Sequence, residues 1–163
     1  AHLRPQAEAQ RLTIVYDVGE TVPSTGSVTT STGSVTTSAG SGQEVFVHAD
    51  LDRVAQVLTN LLGNAIRYTL DGGKITLSVE PKQNMVQVNV VDTGMGIPAE
   101  ALPYIFERFY RVDVSRTRLS GGSGIGLTIS RHLVWAMGGE LTAVSGGTGQ
   151  GSTFSFTLPL AEK

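Results

Sequence analysis

Over positions 51–68 the apolar residues fall at helical spacing: Val54, Val57, Leu58, Leu61, Leu62, Ala65 and Ile66 recur three and four apart. That stripe predicts an amphipathic helix over 51–68, and Asp50 just ahead of it is a good N-cap. Elsewhere the period is two. Residues 11–18 (RLTIVYDV) and 44–48 read as strands, and 74–80 with 85–91 as a hairpin around Pro81-Lys82-Gln83-Asn84. Residues 98–109 suggest short helical turns. Residues 125–137 form a second helix closed by Gly138-Gly139, and 140–145 with 152–160 a final hairpin. The order β-β-α-β-β-α-α-β-β predicts an α/β sandwich, one mixed β-sheet with helices on one face.

Two stretches escape these periods. Residues 26–32 read GSVTTST and 33–39 read GSVTTSA, a seven-residue tandem repeat inside a Ser/Thr/Gly-rich segment, 24–42. It has too little apolar surface to offset its ordering entropy, so it is expected to be a flexible insertion. Two copies are too few for a solenoid. Residues 110–123 are polar, follow Arg108, contain Arg111, Arg116 and Arg118, and end in glycines, which predicts a second flexible loop.

Composition narrows the class. A length of 163 residues favours a single domain, 1–163. The net charge of -2 gives no basic footprint for nucleic acid. With no cysteine, disulfides, thiolate chemistry and cysteine-rich zinc sites are excluded, and three histidines do not make a zinc cluster. His48 and His132 read as structural. No apolar run approaches the roughly 18 to 20 residues of a membrane span, and the first residues lack a signal-peptide stretch. The chain therefore reads as a soluble, cytoplasmic piece. Its 20 glycines gather at 94–96, 121–126 and 146–151, where backbone must approach a ligand or turn sharply.

Three groups of residues carry candidate chemistry. On the first helix Asn60, Asn64 and Arg67 share one border of the apolar arc, at about 100° per residue. An amide oxygen can bind Mg²⁺, its NH₂ can donate to phosphate, and a guanidinium can fork onto phosphate oxygens. One asparagine alone is better read as ordinary helix surface. Asp92, in Asp92-Thr93-Gly94-Met95-Gly96-Ile97-Pro98, ends an apolar strand. A carboxylate there accepts hydrogen bonds only, so it suits the exocyclic amine of adenine and repels the oxo group of guanine. Gly94 and Gly96 would let the backbone pass close to the base. A β-turn with an Asx cap fits the same Asp-Thr-Gly equally well. Third, Gly121-Gly122-Ser123-Gly124-Ile125-Gly126-Leu127 opens directly into a helix, which makes a phosphate cradle plausible. It is neither a Walker loop, having no Lys-Ser/Thr, nor a dinucleotide fingerprint, because Ile129 stands where the third glycine is needed.

Taken in order, these motifs resemble the histidine kinase branch of the ATPase superfamily shared with gyrase, Hsp90 and MutL. The segment 52–69 (DRVAQVLTNLLGNAIRYT) looks like the asparagine box and 92–98 like the first glycine box. The segment 105–111 (IFERFYR) looks like the phenylalanine box, 122–127 like the second glycine box and 149–154 (GQGSTF) like the closing strand motif. The resemblance covers about 11–160 apart from the repeat. It implies the Bergerat ATP-binding fold, with ATP and Mg²⁺ as cofactors. Asn64 would bind Mg²⁺ and Asn60 support the phosphates. Arg67 stands where the family often has lysine, which keeps the charge and changes the donor geometry. Tyr68 would pack by the nucleotide, and Asp92 would hold the adenine amine in a pocket shaped by Gly94, Gly96 and Ile97. Phe106 and Phe109, also expected in the core, would anchor a lid over 110–123 whose Arg111 and Arg116 reach phosphates. Gly122, Gly124, Gly126 and Leu127 would let it fold over the triphosphate, and Ser152 or Thr153 would reach the base.

Asn60 decides the branch. Gyrase-like and Hsp90-like members and the related serine kinases place a basic glutamate there; an amide has no useful basicity. The resemblance thus implies a two-component sensor histidine kinase catalytic domain. It would pass the ATP γ-phosphate to a histidine on a dimerisation domain of the same parent, and through the parent serve a response regulator. The fragment would be a monomer, the cytoplasmic part of an inner-membrane sensor kinase. His2-Leu3-Arg4-Pro5 lacks the acid and the threonine of the phosphoacceptor motif. The alternatives are a nucleotide-sensing module without transfer, and an ATP hydrolase or serine kinase.

Overall fold

The computed structural model describes residues 12–17, 30–31, 34–39, 43–112 and 123–161. Strand β1 (Thr13–Asp17) is followed by β2 (Thr30–Ser31), β3 (Ser34–Ala39) and β4 (Gln43–His48). Helix α1 (Leu51–Tyr68) leads to the hairpin β5 (Lys74–Lys82) and β6 (Met85–Asp92). Helix α2 (Gly126–Ala136) and the hairpin β7 (Leu141–Val144) and β8 (Ser152–Pro159) complete the chain.

Helix α1 has the span its apolar stripe predicts. The Asp50 carboxylate accepts from the amides of Asp52 (3.0 Å) and Arg53 (3.2 Å), which satisfies two of the free N–H groups at the helix start. Val54, Val57, Leu61, Ala65 and Ile66 are its buried stripe. It ends at Thr69, whose backbone turns extended while its hydroxyl donates to the Ala65 carbonyl (2.6 Å).

A five-stranded sheet runs in the order β1-β5-β6-β8-β7, with β1 parallel to β5 and the other pairs antiparallel. Residues paired across strands share a face, and neighbours along a strand alternate. One face carries Ile75, Val86, Val88, Val90, Phe154, Phe156, Leu158 and Leu141, all buried, and against it pack α1 and α2. The other face is polar. There Asn89 accepts from Gln87 (2.7 Å) and donates to Ser78 (3.1 Å) and Glu80 (3.2 Å). The mixed sheet with helices on one face is thus the architecture the element order predicts.

Two expectations are corrected. The short turns before α2 are hydrogen-bonded turns over 98–107 rather than a helix, each amide reaching back to Pro98, Ala101 or Tyr104. The repeat is not loop throughout: Val35-Thr36-Thr37 pairs in register with Val47-Phe46-Val45, building a separate three-stranded sheet, β2-β3-β4. The β-branched residues of each repeat favour strand, and the apolar β4 supplies the partner that the repeat lacks by itself. The remainder of the insertion, like residues 113–122 and the first eleven positions with His2-Leu3-Arg4-Pro5, lies outside the described residues. The small sheet joins the core through buried Val47, which bridges to Leu160. Among the described residues no helix is long and apolar enough to cross a membrane.

Phe156, fully buried at the centre of β8, fills the space between sheet and helices. Phe156→Ala is expected to lower the unfolding free energy by about 3–5 kcal/mol in a denaturant titration. A loss under about 1 kcal/mol would mean that the ring is not the packing centre.

Candidate active site

Strand β6 ends at Asp92, paired with Ile75 of β5 and Ser152 of β8. All three therefore point to the helix side of the sheet. Asp92 is only 5% exposed. One carboxylate oxygen accepts from the Gly94 amide (2.8 Å) and the other from the Ser152 hydroxyl (2.5 Å). Asp92 caps its own turn, as the Asx reading expects, and is also a buried carboxylate at a strand end. A carboxylate has about four acceptor positions, so two bonds leave room for a donor from a ligand. Thr153 pairs with Val91 and Val144 on the opposite face. Of the two candidates on β8, only Ser152 shares a side with Asp92, because strand side chains alternate.

The glycines beside Asp92 answer first to the protein. A side chain at Gly94 would lie 2.3 Å from the Tyr68 carbonyl oxygen, and one at Gly96, where φ is +69°, would lie 2.0 Å from that of Gly147. The expected close approach is therefore real, but what approaches is backbone. The loop 92–98 is laced to the turn 145–151: Gly149 donates to Met95 (2.6 Å) and Gly151 to Gly94 (3.1 Å). Met95 donates to the Tyr68 carbonyl (2.9 Å), which ties the same loop to the end of α1. Ile97 is buried, and Tyr68 is 39% exposed at the edge of this cluster. A cavity of about 130 Å³ opens between Asp92, Ser145, Gln150, Ser152 and Thr153.

The second cluster joins α1 to α2. The Asn60 NH₂ group donates to the Gly126 carbonyl (3.3 Å) and the Ser130 hydroxyl (3.1 Å). Both of its hydrogens are engaged, so Asn60 here fastens one helix to the other and has no free donor for a phosphate. Asn64 is half-buried one turn further along, and Arg67 is exposed in the last turn. Eight residues separate Asn60 from Tyr68, about 12 Å along the helix axis. Helix α1 thus spans the distance from the Asp92 cluster to the start of α2.

That start is also the base of the 110–123 loop. Phe109 donates its amide to the Gly124 carbonyl (3.0 Å), and both residues have positive φ, +65° and +69°. The loop therefore leaves and returns at one point. Phe106 is half-buried against the core, accepts at its carbonyl from Thr128 (2.9 Å), and lies under the Arg131 guanidinium (5.4 Å to the ring centre). Phe109 corrects the expectation of a core residue: it is 68% exposed, with Arg108 over its ring. Leu127 is half-buried beside the core and Arg111 half-buried at the loop's outset. Arg116 and Gly122 lie outside the described residues.

Two residues not singled out from the sequence belong to these clusters. Ser130 is fully buried and bonds Asn60. Its position between Leu127 and Val134, at helical spacing on the inward stripe, was the available signal. Ser145 bonds Ile97 across the two loops (3.0 Å), and nothing in its local pattern marks it.

A mixed sheet covered on one face, a buried carboxylate ending a central strand and an asparagine-bearing helix alongside define the class: an ATP-binding domain of the Bergerat type. The chain belongs to the family described as histidine kinase-, DNA gyrase B-, and HSP90-like ATPase, whose model matches residues 49–162. The curated relatives it resembles are sensor histidine kinases and sensor proteins. It is 41% identical over 123 residues to sensor histidine kinase WalK of Bacillus subtilis, covering 74% of this chain and 20% of that protein. With sensor protein SrrB of Staphylococcus aureus it shares 42% identity over 113 residues, 69% of this chain and 19% of that one. The chain spans about a fifth of the length of these curated relatives. Among solved structures, the mycobacterial sensor histidine kinase MprB superposes with a TM-score of 0.73 at 20% identity, over 99% of this chain and 92% of that one. Full-length ShkA in complex with AMPPNP superposes at 0.72 with 29% identity, over 99% of this chain and 28% of that one.

Removing the Asn60 amide strands the buried Ser130 hydroxyl and frees the first turn of α2. Asn60→Ala is expected to cost about 1–3 kcal/mol of stability, read by thermal or denaturant unfolding. An unchanged unfolding midpoint would contradict the fastening role.

Proposed function

We propose that this domain binds ATP with Mg²⁺ and delivers the γ-phosphate to a histidine on a helical dimerisation domain outside this chain. The observation that carries the reading is the Asp92 carboxylate, buried at the end of β6, with acceptor capacity left on the helix side of the sheet. An acceptor-only group in an apolar wall selects the adenine amine over the guanine oxo group. Ser152 and the Gly94 amide orient the carboxylate, Ile97 walls the base, and Gly96 lets the turn close beside it. From there the nucleotide would run along α1, past Tyr68, with its phosphates near Asn64 and the base of the lid. Arg67 and Arg111 offer charge at the phosphate end, and the lid residues Arg116 and Gly122, with Gly124, Gly126 and Leu127, would close over it.

Asn64 offers an amide oxygen to Mg²⁺, which favours oxygen ligands and keeps several waters beside phosphates. The ion would neutralise charge on the transferring phosphoryl group. Asn60 cannot remove a proton, so activation of water or serine has no agent on α1. The attacking nitrogen and its proton acceptor must then come from the partner domain. In the transfer the Pγ–O bond to ADP breaks as the imidazole N–P bond forms. The sensor kinase parent, its membrane anchor and its response regulator belong to the same proposal.

Two experiments test it. Asp92→Ala should weaken ATP binding at least a hundredfold in a calorimetric titration while the far-ultraviolet circular dichroism stays unchanged, on the order expected when a buried charge-assisted bond is lost; equal affinity would sink the adenine assignment. Mixed with γ-labelled ATP and the helical domain of its own parent, the protein should label that domain with acid-labile, base-stable phosphate. Normal ATP binding without transfer would favour a nucleotide-sensing module instead.

A further inference from the structure

Ser145 follows β7 and opens the turn 145–151. A serine hydroxyl has one hydrogen to donate and two lone pairs to accept with. At Ser145 all three are used. The hydroxyl donates to the Gly151 carbonyl (2.7 Å) and accepts from the amides of Ile97 (3.0 Å) and Gly147 (3.2 Å). The three partners are backbone groups on both sides of Asp92. Ile97 lies five residues after it, in the loop that the Gly94 amide ties to the carboxylate. Gly151 immediately precedes Ser152, whose hydroxyl holds the other carboxylate oxygen. The remaining bonds between the two loops are backbone to backbone, from Gly149 to Met95 and from Gly151 to Gly94. One side chain therefore acts with these two backbone bonds to set the separation of the two segments that hold the carboxylate and wall the base with Ile97.

We propose that Ser145 is a positioning residue for base recognition: it fixes the loop 92–98 against the turn 145–151 so that Asp92 and Ile97 present one geometry to the adenine ring. It touches no ligand and works through Ile97, Gly151 and Ser152. The inference rests on the reading of Asp92 as the adenine-binding group. The geometry is specific to a hydroxyl. Alanine would leave two amides and a carbonyl without their partner, valine would do the same with added bulk, and threonine would retain all three bonds.

The test uses the whole chain and two nucleotides, ADP and GDP, with Ser145→Ala, Ser145→Val and Ser145→Thr. Alanine and valine are expected to weaken ADP binding about tenfold and to shrink the preference for ADP over GDP by a similar factor, with threonine within about twofold of the parent. Threonine and valine variants that bind ADP alike would overturn the proposal, since they differ in the hydroxyl and not in shape. Site-resolved amide exchange on the nucleotide-free protein reads the fixing itself. The Ile97 and Gly147 amides should exchange about tenfold faster in Ser145→Ala and at the parent rate in Ser145→Thr. Unchanged exchange in Ser145→Ala would likewise overturn the assignment. A parent protein that does not prefer ADP to GDP would instead overturn the adenine reading of Asp92, and the positioning assignment with it, whatever the exchange rates show.

Discussion

The close approach of three backbone segments around Asp92 is the constraint on which the site depends. The end of α1, the loop after β6 and the turn before β8 meet with carbonyl oxygens where side chains would otherwise stand. The Tyr68 carbonyl occupies the place of a side chain at 94, and the Gly147 carbonyl that of one at 96. Only glycine permits that contact, and the contact is what allows the amides of Met95, Gly149 and Gly151 to find carbonyl partners. With those groups satisfied, a carboxylate can be buried at the junction and still keep acceptor capacity for a ligand. A polar group buried without partners would cost more than the loop can supply. The glycines thus act on the ligand indirectly, by letting the protein close around its own carboxylate.

Much of this was legible in the sequence, for physical reasons that differ by element. Helix α1 was readable because one stripe of apolar residues and one N-cap aspartate agree on its span. The hairpin β5–β6 was readable because one face is buried and the other polar, so its alternation is clean. The repeat was not readable: by composition it lacks the apolar surface of a packed strand, and its partner β4 is a tertiary fact. Asp92 could be singled out, and the alternation of Phe154, Phe156 and Leu158 puts Ser152 on the inward face, but that Ser152 stands directly opposite Asp92 is a fact of the β6–β8 pairing. Asn60 was placed on the correct helix border, yet its amide turns toward α2, because Ser130 and the Gly126 carbonyl meet it across a long sequence separation. Ser145 was invisible for the same reason, since its tie to Ile97 lies in the loop opposite.

The neck of the 110–123 loop and the Asp92 cluster are held by separate sets of bonds within one small domain. Asn60 holds the first turn of α2, Thr128 holds the Phe106 carbonyl, and Phe109 pairs with Gly124 at the neck of the loop. The base end is held by a different set of bonds, through Ser145, Ser152 and the laced glycine loops. The two sets share only the rigid span of α1. On the proposed function, the base and the phosphates of the nucleotide would each be framed by their own set of bonds.

The same division bears on the partner that the proposed transfer requires. The resemblance puts Asn60 where related ATPases carry a basic glutamate, and here its nitrogen is spent on α2. Replacing it by glutamate would not simply add a base: a carboxylate cannot donate to the Gly126 carbonyl, and repulsion between the two oxygens would loosen α2 at the neck of the lid. The inability to activate water on α1 and the anchoring of the lid are therefore one feature of one side chain. On the proposed function, the bond that keeps the base of the 110–123 loop in place would also spare held ATP from hydrolysis, and transfer would wait on a nucleophile from another domain.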